Sequence, residues 1–287
     1  MDEAWERRRQ TISMNLWRAE WMKTITRPFN QILFLIMVVL VVAFFVVAIM
    51  GALVAPDRMR PYAQQVLPYP QCLATIAQVA VIAGQLIASV FVAHSVGSEY
   101  SGDTWKMILP RYGRRVAFLI AKMGVALVSM IVVVLTMLIV GLALSWIGTV
   151  LVGGALASNG ELPRTSELVL GVAVTLLPML LYGSVALFVT IATRSALGGA
   201  VLTFFGVQTL ALLSPFYGPL AIVMPYPHLP NIIERWVFRD ADAVSYVTRD
   251  FGYSVSPLLS MGVVLAYCGG ALLAASVLFH HRDMTSA

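Results

Sequence analysis

Apolar residues gather in six long runs, approximately 32–54, 73–96, 116–147, 168–192, 197–224 and 257–279, with polar segments between them. A helix of about 20 apolar residues crosses a hydrocarbon core of about 30 Å. Lipid offers the backbone no hydrogen-bonding partner, so each run is expected to be a helix rather than a strand. The pattern predicts an all-α membrane protein with six transmembrane helices over 32–279. A cytoplasmic arm, 1–31, precedes them and a cytoplasmic tail, 280–287, follows.

Composition agrees: 59% of the residues are apolar and 11% charged, and mean hydropathy is +0.84, outside the range of ordinary soluble domains. Charge then sets the expected orientation. Segments 1–31, 97–122, 193–196 and 280–287 hold thirteen Lys and Arg residues, against six in 55–72, 153–167 and 225–256. The positive-inside rule places both termini in the cytoplasm, with the protein multi-pass in the cytoplasmic membrane. The basic pI of about 9.4 is explained by lysines and arginines facing anionic lipid, so no nucleic-acid partner is expected.

The arm is too long and polar before its first span to read as a cleaved leader. Within it Met14, Trp17, Trp21 and Ile25 share one helical face, while Glu20, Lys23 and Arg27 project elsewhere. That layout predicts an N-terminal amphipathic helix lying in the membrane interface, with Trp17 and Trp21 as headgroup anchors. Pro28 allows a turn into the first span. On the other side, Ile232, Ile233, Trp236 and Val237 follow Pro230-Asn231 and predict a short amphipathic helix packed at the outer surface. Cys72 and Cys268 read as inert small residues.

The spans keep the 19 basic and 14 acidic residues outside them or at their ends. A proton- or ion-coupled transporter usually holds a charged group at mid-membrane, so that class is disfavoured. A phosphate-cradling loop requires Gly-Lys-Ser/Thr, and the chain has no Gly-Lys pair. It also lacks HExxH, GxSxG and any His/Cys cluster with ligand spacing, so neither an enzyme nor a metal site is expected. Polar uncharged residues do enter the spans: Thr75, Gln78, Gln85 and Ser89 along one side of the second, and Thr203, Gln208 and Thr209 in the fifth. They serve either as interhelical hydrogen-bond glue or, for Gln78, Gln85, Ser89 and Gln208, as the lining of a substrate path or dimer seam. Pro178, Pro215 and Pro219 are expected to kink the fourth and fifth spans.

One polar island, Gly97 to Lys122, is patterned beyond the needs of a linker. Glu99 and Asp103 lie where carboxylates favour a helix start; Trp105, Ile108 and Leu109 fall on one face; Pro110 interrupts, and Arg111, Arg114 and Arg115 follow. This predicts a short cytoplasmic helix between the second and third spans. Glu99-Tyr100, Thr104-Trp105-Lys106, Leu109-Pro110-Arg111, Gly113-x-Arg115 and Phe118-Leu119-x-Ala121-Lys122 together resemble the cytoplasmic loop of ABC-2-type ABC transporter permeases. The six-span layout, the amphipathic arm and the ending Phe279-His280-His281-Arg282-Asp283 are similar to that family too. One departure stands out: the usual glycine before the threonine is Asp103, with Gly102 displaced by one.

The resemblance implies a permease subunit of an exporter. It would work with a separate cytoplasmic ABC ATPase subunit, which carries the ATP and Mg, and with a second copy of itself or a related permease. The chain itself would bind no cofactor. The loop would be a coupling helix, with Glu99, Tyr100, Thr104, Trp105, Lys106, Ile108, Leu109 and Arg111 toward the ATPase and Arg114, Arg115 and Lys122 anchored at headgroups. The alternative is a non-transporting scaffold or sensor subunit docked to an ATPase.

Overall fold

A computed structural model describes residues 16–69, 71–102, 115–153, 165–213, 216, 222–225, 228–229, 232 and 256–281. The described chain is all-helical, and six of its helices are long and apolar enough to cross a membrane. The elements are α1 (16–26), α2 (Pro28–Val54), α3 (Pro56–Val66), α4 (Gln71–Ser101), α5 (Arg115–Val152), α6 (Thr165–Thr193), α7 (Ala196–Leu213) and α8 (Pro257–His281).

The break between α1 and α2 is written locally. Arg27 is extended, with Pro28 in the first turn of α2, because the residue before a proline is pushed out of the helical region and proline suits a helix start. The carbonyls left over at the end of α1 find side-chain donors: Asn30 Nδ2 donates to Thr24 O at 3.0 Å and Gln31 Nε2 to Ile25 O at 2.9 Å. The first transmembrane helix therefore begins four residues earlier than the apolar run at 32, with Pro28 to Gln31 inside it.

α4 and α6 form the centre, with more than half of their apolar windows buried. α2 packs on α5, α8 on α6, and α7 against both α4 and α6. The main core joins Met37, Val41 and Phe45 of α2 to Met130 and Met137 of α5 and Met179 and Ile191 of α6. A smaller core gathers Leu181 and Tyr182 of α6 with Val264 and Cys268 of α8, closed over by Leu229 and Ile232. Ile232, expected on an outer amphipathic helix, is thus buried; Ile233, Trp236 and Val237 lie outside the described residues. The outward faces carry Val47, Ile82, Ile139, Leu197, Phe205 and Leu273, apolar surface suited to lipid.

Two glycines permit the close approach of α7. A Cβ on Gly97 of α4 would collide with Ala196, and one on Gly199 would collide with Thr190 of α6. The tight turn from α6 into α7 holds Arg194 at φ 56, a left-handed conformation uncommon for a residue with a side chain. α7 is described over Ala196–Leu213; Pro215 and Pro219, expected to kink this span, lie outside the described residues. α6 runs through Pro178, expected to kink it. The polar stretch after α2 forms α3, with Pro56 in its first turn and Asp57 close behind. Both are helix-start signals. Arg60 Nε of α3 donates to Val152 O at 3.3 Å, tying α3 to the end of α5.

Candidate functional site

The titratable chemistry of the described chain converges where α1, the end of α4 and the start of α5 meet. Lys122 is at the centre. Its ammonium has three protons, and three acceptors surround it: Glu20 Oε2 at 2.7 Å, Glu99 Oε1 at 3.2 Å and Ser95 O at 3.1 Å. Lys23 Nζ adds bonds to Glu20 Oε1 at 3.0 Å and Glu99 Oε1 at 3.2 Å. Arg27 donates to Ser98 Oγ at 2.9 Å, with Nη2 3.8 Å from Glu99 Oε1. Lys122 also stands 5.1 Å from the centre of the Phe118 ring, a cation–π contact.

Burial makes this cluster consequential. The side chains of Glu20, Glu99 and Lys122 are 4%, 1% and 3% exposed, while Lys23 and Arg27 reach the surface at 35% and 31%. A buried ion is tolerated only when paired and hydrogen-bonded, so these five side chains stand or fall together. For Glu20, burial pushes the carboxyl up, but the charges and hydrogen bonds of Lys122 and Lys23 outweigh it and hold the pKa below its ordinary 4.5. For Lys23, burial pushes the amine down, and Glu20 and Glu99 more than offset it, raising the pKa above 10.5.

Glu20, Lys23 and Arg27, expected to project away from the apolar face of the arm, are turned inward onto α4 and α5. Trp17 and Ile25 are the exposed ones, at 40% and 48%, and Trp21 is half-buried. Charge complementarity explains which side turns inward: Glu99 and Lys122 offer the partners that Glu20 and Lys23 require. Trp17 still touches protein at one edge, because a Cβ on Gly124 of α5 would collide with its indole.

Glu99 and Lys122 also sit differently from their expected positions. Glu99, expected on a polar rim facing an ATPase, is enclosed; Lys122, expected among headgroups, is enclosed beside it. Tyr100 is half-buried against the main core. Thr104, Trp105, Lys106, Ile108, Leu109, Arg111 and Arg114 lie outside the described residues, and Arg115 opens α5.

Of the four polar span residues, the structure brings two together. Gln208 Nε2 of α7 donates to Gln85 Oε1 of α4 at 3.3 Å, the geometry of interhelical glue. Ser89 is buried and bonds back to Gln85 O, while Gln78 is exposed on α4. On the opposite side of the molecule, His228 was not anticipated. Its Nε2 lies 2.7 Å from Ile222 O and its Nδ1 2.9 Å from Ser260 Oγ of α8. A carbonyl can only accept, so Nε2 carries the proton and Nδ1 accepts from the serine. No metal-ligating group of His, Cys, Asp and Glu occurs among the described residues.

Six apolar helices, two of them central and four packed around those two, define a multi-pass membrane protein. Residues 16–209 match the family described as ABC-2 family transporter protein, and the chain belongs to that family. Its members are membrane transport subunits that generally work with ATPase subunits. No curated protein matches the chain.

The cluster had one legible signal that sequence reading passed over. Lys122 follows Phe118-Leu119-Ile120-Ala121 and precedes an unbroken apolar run, and a lysine so placed implies a partner. Which partner was not legible, because Glu20 is 102 residues away.

Proposed function

We propose that this permease moves its substrate outward across the cytoplasmic membrane, driven by ATP hydrolysed with Mg on a separate ATPase subunit. It would act with a second copy or a related permease, both termini in the cytoplasm, and bind no cofactor itself. The observation that carries this reading is the buried cluster of Glu20, Lys23, Arg27, Glu99 and Lys122. Glu99 lies just before residues 103–114 and Lys122 just after them. A force applied to that segment therefore reaches both of its helical stems, α4 and α5. Through Glu20 and Lys23 it reaches α1 as well, and through α1 the start of α2.

The cluster suits this role physically. Separating its charges exposes uncompensated ions, so the junction moves as a block or switches between discrete arrangements. An ATPase that grips 103–114 differently in its two states could then bias the spans, as energy transfer by differential contact requires. Trp105, Ile108 and Leu109 would supply the apolar contact, with Tyr100, Thr104, Lys106 and Arg111 around them. Trp17, Trp21, Arg114 and Arg115 would hold the junction at the headgroups. Gln78, outward on α4, would meet a path or the second copy.

The test is reconstitution of the chain in vesicles with the ATPase that co-purifies with it. Hydrolysis should rise when both are present, fall several-fold in Trp105→Ala, and be accompanied by ATP-dependent movement of substrate across the vesicle wall. ATP hydrolysis indifferent to the chain would overturn the coupling. Coupled hydrolysis without movement of any candidate substrate would instead favour the scaffold or sensor reading.

A further inference from the structure

Beside the ion cluster lies a cavity of about 410 Å³, between α1, the start of α2, and the facing sides of α4, α5 and α6. Its walls are chiefly apolar, with Leu33, Phe34, Ile87, Phe91, Met130 and Val133 among them. That volume lies within the range of about 300–1,000 Å³ typical of small-molecule sites, which share this mostly apolar lining with a few placed polar groups. Four polar side chains apart from the Trp21 indole reach the lining: Thr24, Asn30, Gln31 and Ser129.

Those four have a common feature. Each has committed a donor to a helical carbonyl: Thr24 to Glu20 O, Asn30 to Thr24 O, Gln31 to Ile25 O and Ser129 to Val125 O. Their oxygens are left to accept. Asn30 Oδ1 is buried with no hydrogen-bond partner among the described residues, and Asn30 as a whole is 9% exposed. A buried acceptor without a partner is costly, and a ligand donor would relieve it. The neighbouring junction holds three cations, Lys23, Arg27 and Lys122, against two carboxylates, which disfavours a cationic head. A neutral donor remains, and the simplest is a hydroxyl.

We infer that this cavity is a binding site for a neutral, hydroxyl-headed amphiphile with a single apolar chain, drawn from the surrounding bilayer. The chain lies against Phe91, Met130 and Val133, one hydroxyl donates to the amide oxygen of Asn30, and a second, where the head carries one, donates to that of Gln31. The site spans the contact between the arm and the core, so its occupancy favours the docked arm. It stands apart from the coupling proposal, because binding requires no ATPase.

Trp21 lines the cavity and reports on it directly. The full chain in nanodiscs is titrated with monoacylglycerol brominated in mid-chain, and with the methyl ester of the same brominated fatty acid, which has no donor. The expected result is a saturable quenching component that is missing in Trp21→Phe and at least tenfold tighter for the monoacylglycerol. Ser129→Phe, which fills the cavity from α5, should weaken it tenfold or more. Val132→Phe provides the same intrusion at a position already 44% exposed, where folding is less at risk. Asn30→Leu, and separately Gln31→Leu on the exposed rim, should shrink the preference for the hydroxyl head toward parity. Quenching of Trp21 that rises without saturation, is equal for both probes, or ignores both phenylalanine variants would overturn the proposal.

Discussion

Glu20→Gln tests the junction where it is most exposed to failure. The substitution keeps the shape and removes one of two buried carboxylates, leaving Lys122, Lys23 and Arg27 around Glu99 alone. The amide oxygen can still accept from Lys122, but the 2.7 Å bond between side chains 4% and 3% exposed loses its ion-pair character, and a hydrogen bond to a charged group contributes about 1.5–3 kcal/mol. The bond lost to Lys23 counts for less, since that amine is 35% exposed and surface pairs give about 0–1 kcal/mol. The excess buried positive charge adds a further penalty, bringing the total to about 3–5 kcal/mol, the usual cost of removing one partner of a buried pair. At about 1.4 kcal/mol per factor of ten, the docking equilibrium of the arm falls roughly 10²- to 10³-fold or more. Amide hydrogen exchange over residues 16–26, in detergent or nanodiscs, reads that equilibrium directly. Exchange within about threefold of wild type would refute the claim that buried charge holds the arm. A double-mutant cycle with Lys122→Gln should show strong coupling, the second substitution costing far less once the first is made.

Other consequences follow from separate parts of the fold. The carboxylate of Glu20, held below 4.5, contributes stability that is present above that pH and lost as pH falls through its lowered value. Lys23, raised above 10.5, contributes below that pH and loses its contribution as pH rises past the raised value. Arm protection should thus be flat from about pH 5 to 9 and decline below about pH 4, measured by the same exchange experiment. Gly97→Ala drives a methyl into Ala196 and should destabilise the α4–α7 contact by about 1–3 kcal/mol, seen as a lower thermal midpoint, whereas Gly171→Ala, with open space around it inside α6, should keep the midpoint or raise it slightly. Gln85→Leu and Gln208→Leu in a double-mutant cycle should couple by about 0.6–2 kcal/mol, as interhelical bonds in membranes do; zero coupling would remove the glue role. Burial lowers the pKa of His228, against the bond to Ile222 O that raises it. Its contribution is therefore full above the ordinary 6.5 and diminishes as pH falls below it, so exchange at the start of α8 should quicken below about pH 6.

Much of the architecture was open to reading from the chain alone. Six apolar runs of sufficient length admit only helices in lipid, and the membrane supplies the reason without reference to any long-range contact. Local chemistry likewise announces the break at Arg27-Pro28 and the helix start at Pro56-Asp57, although the second was not read in advance. Each depends on neighbours within a few residues.

The tertiary structure decided which way the charges face. By composition Glu20, Glu99 and Lys122 look like surface groups, because a single ion is stable only in water or beside its opposite. Whether an opposite is at hand depends on pairs separated by 23, 76 and 102 residues, and no periodicity within one helix encodes such a pairing. The same holds for Gln85 with Gln208, and for the cavity at Asn30, which exists only where five helices fail to fill the space between them. The sequence by itself determined what crosses the membrane. The folded chain determined where its ions are buried, and so which parts must move together.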